Sequence, residues 1–273
     1  MANAALAIDG HVHLYDVYDL SKAVEKGTEN LIANAKIYLE ENDKVVPVWF
    51  LVERSNLNFF NQIYQSPENY SQGDVKFKRG EDSLTINVEK NNKTILYMFA
   101  GRQLVTREGL EVLSLISDLN IVDRQKPIGD VIKDIKNSGG IPTLNWAPGK
   151  WFFSRGKVIA RQIQENSPAD FFIGETTLRN TLWREPNLIA RAKKKGFAVI
   201  AGSDPLPFKG EENNIGSYGF LIEGKFVPTN PAQSLQDLMN SKAKNIRIIG
   251  KRNDVFTFTR RQYKIMAEKR TRG

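Results

Sequence analysis

The sequence predicts an α/β fold of the (β/α) barrel type, and three observations carry that prediction. Apolar, β-rich segments alternate with helical ones along the chain. The second of these segments, residues 45–52, is apolar almost throughout, as a strand covered on both faces requires. With 273 residues, 41% of them hydrophobic, the chain can bury one large core.

The elements follow in order. A first strand reaches His13, and Asp19 or Ser21 then caps a helix running to about Leu39. After the strand at 45–52 the pattern becomes alternating between Asp74 and Phe99. There, 83–88 and 94–98 flank Lys90-Asn91-Asn92-Lys93 and predict a β-hairpin laid over or inserted into the barrel. Further strands are expected at 111–116, 140–144, 170–173, 197–201 and 245–249, with helices at 128–136, 157–164, 186–195 and 231–239. The expected organisation is a barrel domain over 1–250, its hairpin at about 74–99, and a basic C-terminal helix or tail over 251–273.

Composition excludes several chemistries. There is no cysteine, so disulfides, thiolate zinc sites and cysteine nucleophiles are ruled out. No run of ~18 apolar residues and no signal-peptide pattern occurs, and a soluble, cytoplasmic protein without a transmembrane segment is expected. The net charge of +8 is concentrated in the last 33 residues. From Ser241 onward eleven Lys or Arg face Asp254 and Glu268, a local charge of +9 that leaves the first 240 residues near −1. Phe258, Tyr263, Ile265 and Met266 lie among Arg260, Arg261, Lys264, Lys269 and Arg270, as on a helix with one apolar side. Such a helix either docks with a solvated basic face or recruits nucleic acid or another acidic partner.

The first apolar run ends in Asp9-Gly10-His11-Val12-His13, which holds both histidines of the chain. At i and i+2 of a strand two imidazoles point to one face, near enough to share a metal ion or an anion; the same spacing also serves as a structural or surface pair. In a parallel barrel, chemistry gathers at the carboxyl ends of the strands. Polar residues there are His11 and His13, Glu53 and Arg54, Gln103, Glu111, Asn145 with Trp146, Glu175, and Ser203 with Asp204. Two neutral imidazoles joined by one or two carboxylates form an N/O site for zinc, iron or manganese.

Asp9-Gly10-His11-Val12-His13 resembles the first Asp-x-His-x-His motif of the PHP (polymerase and histidinol phosphatase) superfamily. The segment 187–204, closing in Gly202-Ser203-Asp204 and followed by Ile215-Gly216, is similar to its helix, strand and terminal Gly-Ser-Asp motif. The similarity covers residues 5–220 in register. It implies a distorted barrel of PHP/TIM type, related in architecture to amidohydrolases, and a metal-dependent hydrolase. Several family ligands are replaced. Thr-Asp-His becomes Val52-Glu53-Arg54, and a guanidinium cannot ligate a metal. Gln103 stands where the family has glutamate and Glu111 where it has histidine. His-Pro-Gly becomes Ala147-Pro148-Gly149, and the closing Asp-x-His becomes Asp204-Pro205-Leu206. A trinuclear site of the family type is not expected.

What remains is His11, His13 and Asp204 with Glu111 or Glu53, enough for one divalent ion (zinc, manganese or iron) and an open position for water. The resemblance then implies a phosphoesterase acting on a small anionic substrate, with Asp204 as ligand or general base, and Glu111 and Arg54 also catalytic. Arg102 and Lys150 are candidates to hold the anion. Trp146, with Trp151, Phe152 and Phe153, forms either a stacking wall or core. Glu53, Gln103 and Glu175 are expected behind the ligands. The alternative is a catalytically inactive barrel used for binding, in which Arg54 replaces the missing cation by pairing with Glu53, Glu111 or Asp204.

Overall fold

The computed structural model describes residues 3–271, and they form a mixed α/β fold around a nearly closed, barrel-shaped sheet. In chain order the strands and helices are β1 (Asn3–Val12), α1 (Leu20–Lys36), β2 (Val45–Arg54), α2 (Phe59–Gln65), β3 (Val75–Arg79), β4 (Thr85–Lys90), β5 (Lys93–Val105) and β6 (Glu111–Leu115). There follow α3 (Ile128–Asn137), β7 (Ile141–Asn145), α4 (Phe153–Glu165), β8 (Phe172–Thr176), α5 (Asn187–Lys194), β9 (Val199–Gly202), β10 (Tyr218–Lys225), α6 (Pro231–Lys242), β11 (Arg247–Gly250) and α7 (Val255–Thr271).

The sheet runs β11-β10-β1-β2-β5-β6-β7-β8-β9, and β9 returns against β1. It is the distorted barrel expected from the sequence, and its strands are not all parallel. β6 is antiparallel to both β5 and β7, and β10 is antiparallel to β1. The expected hairpin forms between β4 and the start of β5. Its second arm is the first part of β5, a 13-residue strand that itself belongs to the barrel. β4 and β6 take the same edge of β5 in succession, while β2 runs parallel along the other edge. Asn91 and Asn92 turn the hairpin with φ of 53° and 58°, the left-handed pair that a two-residue turn demands.

Other boundaries moved for local reasons. The strand expected at 170–173 starts at Phe172, because the Asp170 carboxylate caps a turn by accepting from the Ser167 N–H at 2.8 Å. The helix expected from 157 begins at Phe153, and the one expected to reach Leu39 ends at Lys36, with Asp19 as its N-cap. A strand absent from those expected, β10, begins at Tyr218. Of the basic residues placed on the last helix, the side chains of Lys269 and Arg270, and Arg272 altogether, lie outside the described residues. No helix among the described residues is long and apolar enough to cross a membrane.

Two apolar layers lie on opposite faces of β1. Ala5 and Ala7 pack toward α1 with Trp49 and Leu51, whereas Leu6 and Ile8 pack inside the barrel with Phe50, Phe99 and Ile200. The pairing of β1 with β2 slips between Asp9 and Val12, and past the slip Val12 and Leu14 join the α1 side. The bulge therefore reverses the parity of the strand. It turns His11 and His13 to the face that Leu6 and Ile8 occupy below them.

Candidate metal centre

Closure of the barrel brings the third residue to the histidines. β9 meets β1 backbone to backbone: a Cβ on Gly202 would lie 2.3 Å from the His11 nitrogen, so this position accepts no side chain. The chain then turns at Asp204, whose N–H donates to the His11 carbonyl at 2.9 Å and whose φ is 49°. Asp9 holds the junction together. Its Oδ1 accepts from the His11 and Ser203 N–H groups at 3.1 and 2.9 Å, and its Oδ2 accepts from Gly216 N–H at 2.8 Å. Complete burial pushes the Asp9 carboxyl up to about 6 against these donors.

His11 Nε2 and His13 Nε2 are 3.0 Å apart, and each lies 3.6 Å from Asp204 Oδ1. Both rings are buried, and the Asp204 side chain is 14% exposed. Burial first, and then the facing His11, push His13 down to about 3, so its imidazole is neutral at ordinary pH. Burial works to raise the Asp204 carboxyl, but His11, His13, Arg261 and Arg54 hold it below the usual carboxylate range. The donor set fits a metal ion on chemistry and on spacing. Two neutral imidazoles and one carboxylate are usual zinc ligands, and bonds of ~2.0–2.1 Å at tetrahedral angles require donors about 3.3 Å apart. The observed 3.0, 3.6 and 3.6 Å bracket that value. Neither Nδ1 has a hydrogen-bond partner among the described residues.

Of the other candidates, Gln103 hydrogen-bonds the His13 side chain, whereas the remaining carboxylates are engaged elsewhere. Glu111 Oε1 accepts from Lys150 Nζ at 2.6 Å. Buried Glu53 caps α2, accepting from the N–H groups of Phe59 and of Phe60, the latter at 3.2 Å, with an Arg102 nitrogen 3.9 Å away. Arg102 itself donates to the Leu57 carbonyl at 2.7 Å and to Asn58 Oδ1 at 2.9 Å, which ties it to the α2 entry. Glu175 accepts from Arg179 at 2.6 Å and from the Tyr218 hydroxyl at 2.9 Å. Trp146 and Trp151 are buried, and they line a cavity of about 550 Å³ with Phe152, Leu182 and Trp183. Phe153 points away into solvent, 93% exposed.

A second cavity, of about 500 Å³, is lined by Leu206 and Pro207, which follow Asp204 in the chain, and by Gln103, which hydrogen-bonds His13, though not by the trio itself. Its polar lining includes Arg54, Gln103, Glu111, Lys150 and Asp123, and its apolar lining Phe208 and Ile265. Among the described residues Lys150 is paired with Glu111, whereas Arg54 forms no ion pair within 4 Å and bears on His13 and Asp204 through its charge.

Arg261 was not among the residues singled out as functional. It is 1% exposed, on α7, and donates to Thr177 Oγ1 at 2.7 Å and to the Asp204 carbonyl at 2.8 Å, with Glu211 Oε2 also at 2.8 Å. A signal existed in its spacing. Arg261 falls at i+3 from Phe258 and i−4 from Ile265, on the apolar side of the helix rather than the basic one.

Neither a scan against protein-family models nor a search of curated proteins gives a match. Among solved structures the chain is similar to PsfC from Pseudomonas syringae PB-5123, with a TM-score of 0.56 at 12% identity, over 92% of this chain and 93% of that one. It also aligns, at a TM-score of 0.49 and 12% identity, over 91% of its length with 66% of a two-domain protein from Bacteroides vulgatus ATCC 8482 described as containing a predicted PHP-like metal-dependent phosphoesterase. The likeness to PsfC is one of fold, and it agrees with the barrel expected from the sequence.

Proposed function

We propose that the chain is a metal-dependent hydrolase, a phosphoesterase that works on a small anionic substrate through one divalent ion held by His11, His13 and Asp204. The observation that carries this reading is the convergence of His11 Nε2, His13 Nε2 and Asp204 Oδ1 at a buried strand end beside an open cavity. When bound there, zinc or manganese supplies a water of lowered pKa and a Lewis acid for a phosphoryl oxygen. The chain's own residues do the rest. Neutral His13 and ionised Asp204 present lone pairs without first losing protons. Arg54, without an ion pair within 4 Å among the described residues, receives the anionic group of the substrate. Lys150 is already committed to Glu111, so its contribution is smaller. Leu206, Pro207, Phe208 and Ile265 offer an apolar wall to the group esterified on the phosphate.

The ion pairs at Glu111 with Lys150 and at Glu53 with Arg102 support a second reading, an inactive binding barrel, because they neutralise two carboxylates without a metal. Reconstitution with zinc or manganese, followed by assay on 4-nitrophenyl phosphate and bis(4-nitrophenyl) phosphate, separates the two. The hydrolase reading expects metal-dependent turnover that Asp204→Asn abolishes. Metal uptake without turnover on any phosphoester of a broad panel favours the binding barrel.

A further inference from the structure

We infer that Arg261 is a positioning residue of the metal centre, and that α7 is thereby part of the site rather than an appendage to the barrel. The inference rests on the reading of His11, His13 and Asp204 as metal ligands. Asp204 occupies a left-handed backbone conformation, with φ of 49°, immediately before Pro205. An L-residue holds that conformation only when its surroundings enforce it. The preceding peptide is fixed by the Asp204 N–H donating to the His11 carbonyl at 2.9 Å. The following peptide is fixed by Arg261, which donates to the Asp204 carbonyl at 2.8 Å.

The rest of the guanidinium is anchored on both sides of that turn. One nitrogen donates to Thr177 Oγ1 at 2.7 Å, just past β8, and Thr177 Oγ1 in turn donates to the Ser203 carbonyl. The other faces Glu211 Oε2 at 2.8 Å, the carboxylate that also accepts from the Leu206 N–H at 3.3 Å. Arg261 thus links the chain just before Asp204, Asp204 itself and the chain just after it. Its planar fork reaches all three at once, and a lysine ammonium on a single nitrogen cannot reproduce that arrangement. With the backbone pinned on both sides, the Asp204 carboxylate is aimed at the two imidazoles before any ion arrives. One helical turn further on, Ile265 lines the adjoining cavity, so the same helix shapes the substrate space.

The test is Co²⁺ binding to the full chain and to Arg261→Met and Arg261→Lys, read by chelator competition and by the visible d–d spectrum, with far-UV circular dichroism to confirm folding. The expected result is a roughly 10- to 100-fold weaker Co²⁺ affinity in Arg261→Met, the range for loss of a residue that orients a ligand. An altered d–d spectrum accompanies it, and Arg261→Lys falls between Arg261→Met and the parent. Should Arg261→Met fail to fold, a folded Arg261→Lys must show the weakened affinity and altered spectrum by itself. A folded variant with the parent's affinity and spectrum overturns the role of Arg261 while leaving the metal site intact. A parent chain that binds no Co²⁺ overturns the metal reading itself, and with it this inference.

Discussion

His11 Nε2 and His13 Nε2 lie 3.0 Å apart in a buried strand end, a separation that two protonated rings cannot sustain. Two imidazolium rings there would place two cations in contact where water cannot screen them. The pair is thus compatible with at most one shared proton, or with a common cation in place of it.

Acid lability of the metal-free protein follows. His13 is held down to about 3 in the fold by burial and then by His11, against about 6.5 in an unfolded chain. Between those values the unfolded state binds a proton that the folded state refuses, so stability falls as pH falls. The full contribution is present above about 6.5, and each unit below it costs up to ~1.4 kcal/mol. Over the same range Asp9, raised to about 6 in the fold, takes up a proton in the folded state and offsets part of this loss, so urea titrations between pH 7 and 4 should show a steeper loss of stability in the parent than in His13→Asn. Equal slopes in both proteins would contradict the assignment.

Asp9 is expected to be structural. Three backbone N–H groups converge on its two oxygens, from β1, from the end of β9 and from the segment before β10. Asp9→Asn turns one acceptor oxygen into a donor facing a donor, at a cost of about 2–3 kcal/mol. A drop in denaturation midpoint of that size, with metal stoichiometry retained at low temperature, is the expected outcome. An unchanged midpoint would remove Asp9 from this role.

Glu53→Ala discriminates between the helix cap seen here and the ligand role considered from sequence. It strands the Phe59 and Phe60 N–H groups and the buried Arg102 guanidinium, which predicts a loss of about 3 kcal/mol with metal content unchanged. Loss of metal without loss of stability would return Glu53 to the ligand set.

Arg54 should affect substrate rather than fold. It is exposed, without an ion-pair partner among the described residues, and lines the cavity next to Leu206 and Pro207. A charge-assisted hydrogen bond contributes about 1.5–3 kcal/mol, so Arg54→Gln should lower kcat/KM on a phosphoester by roughly 10- to 100-fold. Its thermal midpoint should move little. An unchanged kcat/KM would exclude contact with the anion.

The sequence made the strand and helix alternation legible, and with it the hairpin turn at Asn91-Asn92 and the grouping of His11, His13 and Asp204. Three features were harder to read. The facing of the histidines depends on a bulge at Asp9 to Val12, and a bulge shifts the period of two on which strand reading relies. β10 carries Gly219 and Gly224 within eight residues and follows a Gly- and Asn-rich loop, so its strand signal is diluted. The partners of Glu53, Glu111 and Glu175 are set by tertiary contacts: α2 is formed just beyond β2, Lys150 comes from the turn after β7, and Tyr218 comes from β10. Arg261 shows the same limit from the other side. A charge run looks solvated until the helix docks, and only its spacing with Phe258 and Ile265 set this arginine apart.

The most direct test of the account is the metal content of the purified, untagged protein, measured beside His11→Ala/His13→Ala by elemental analysis after reconstitution with zinc or manganese. The account predicts about one equivalent in the parent and none in a folded double variant. No metal in either protein, or equal metal in both, would contradict a centre built on His11, His13 and Asp204.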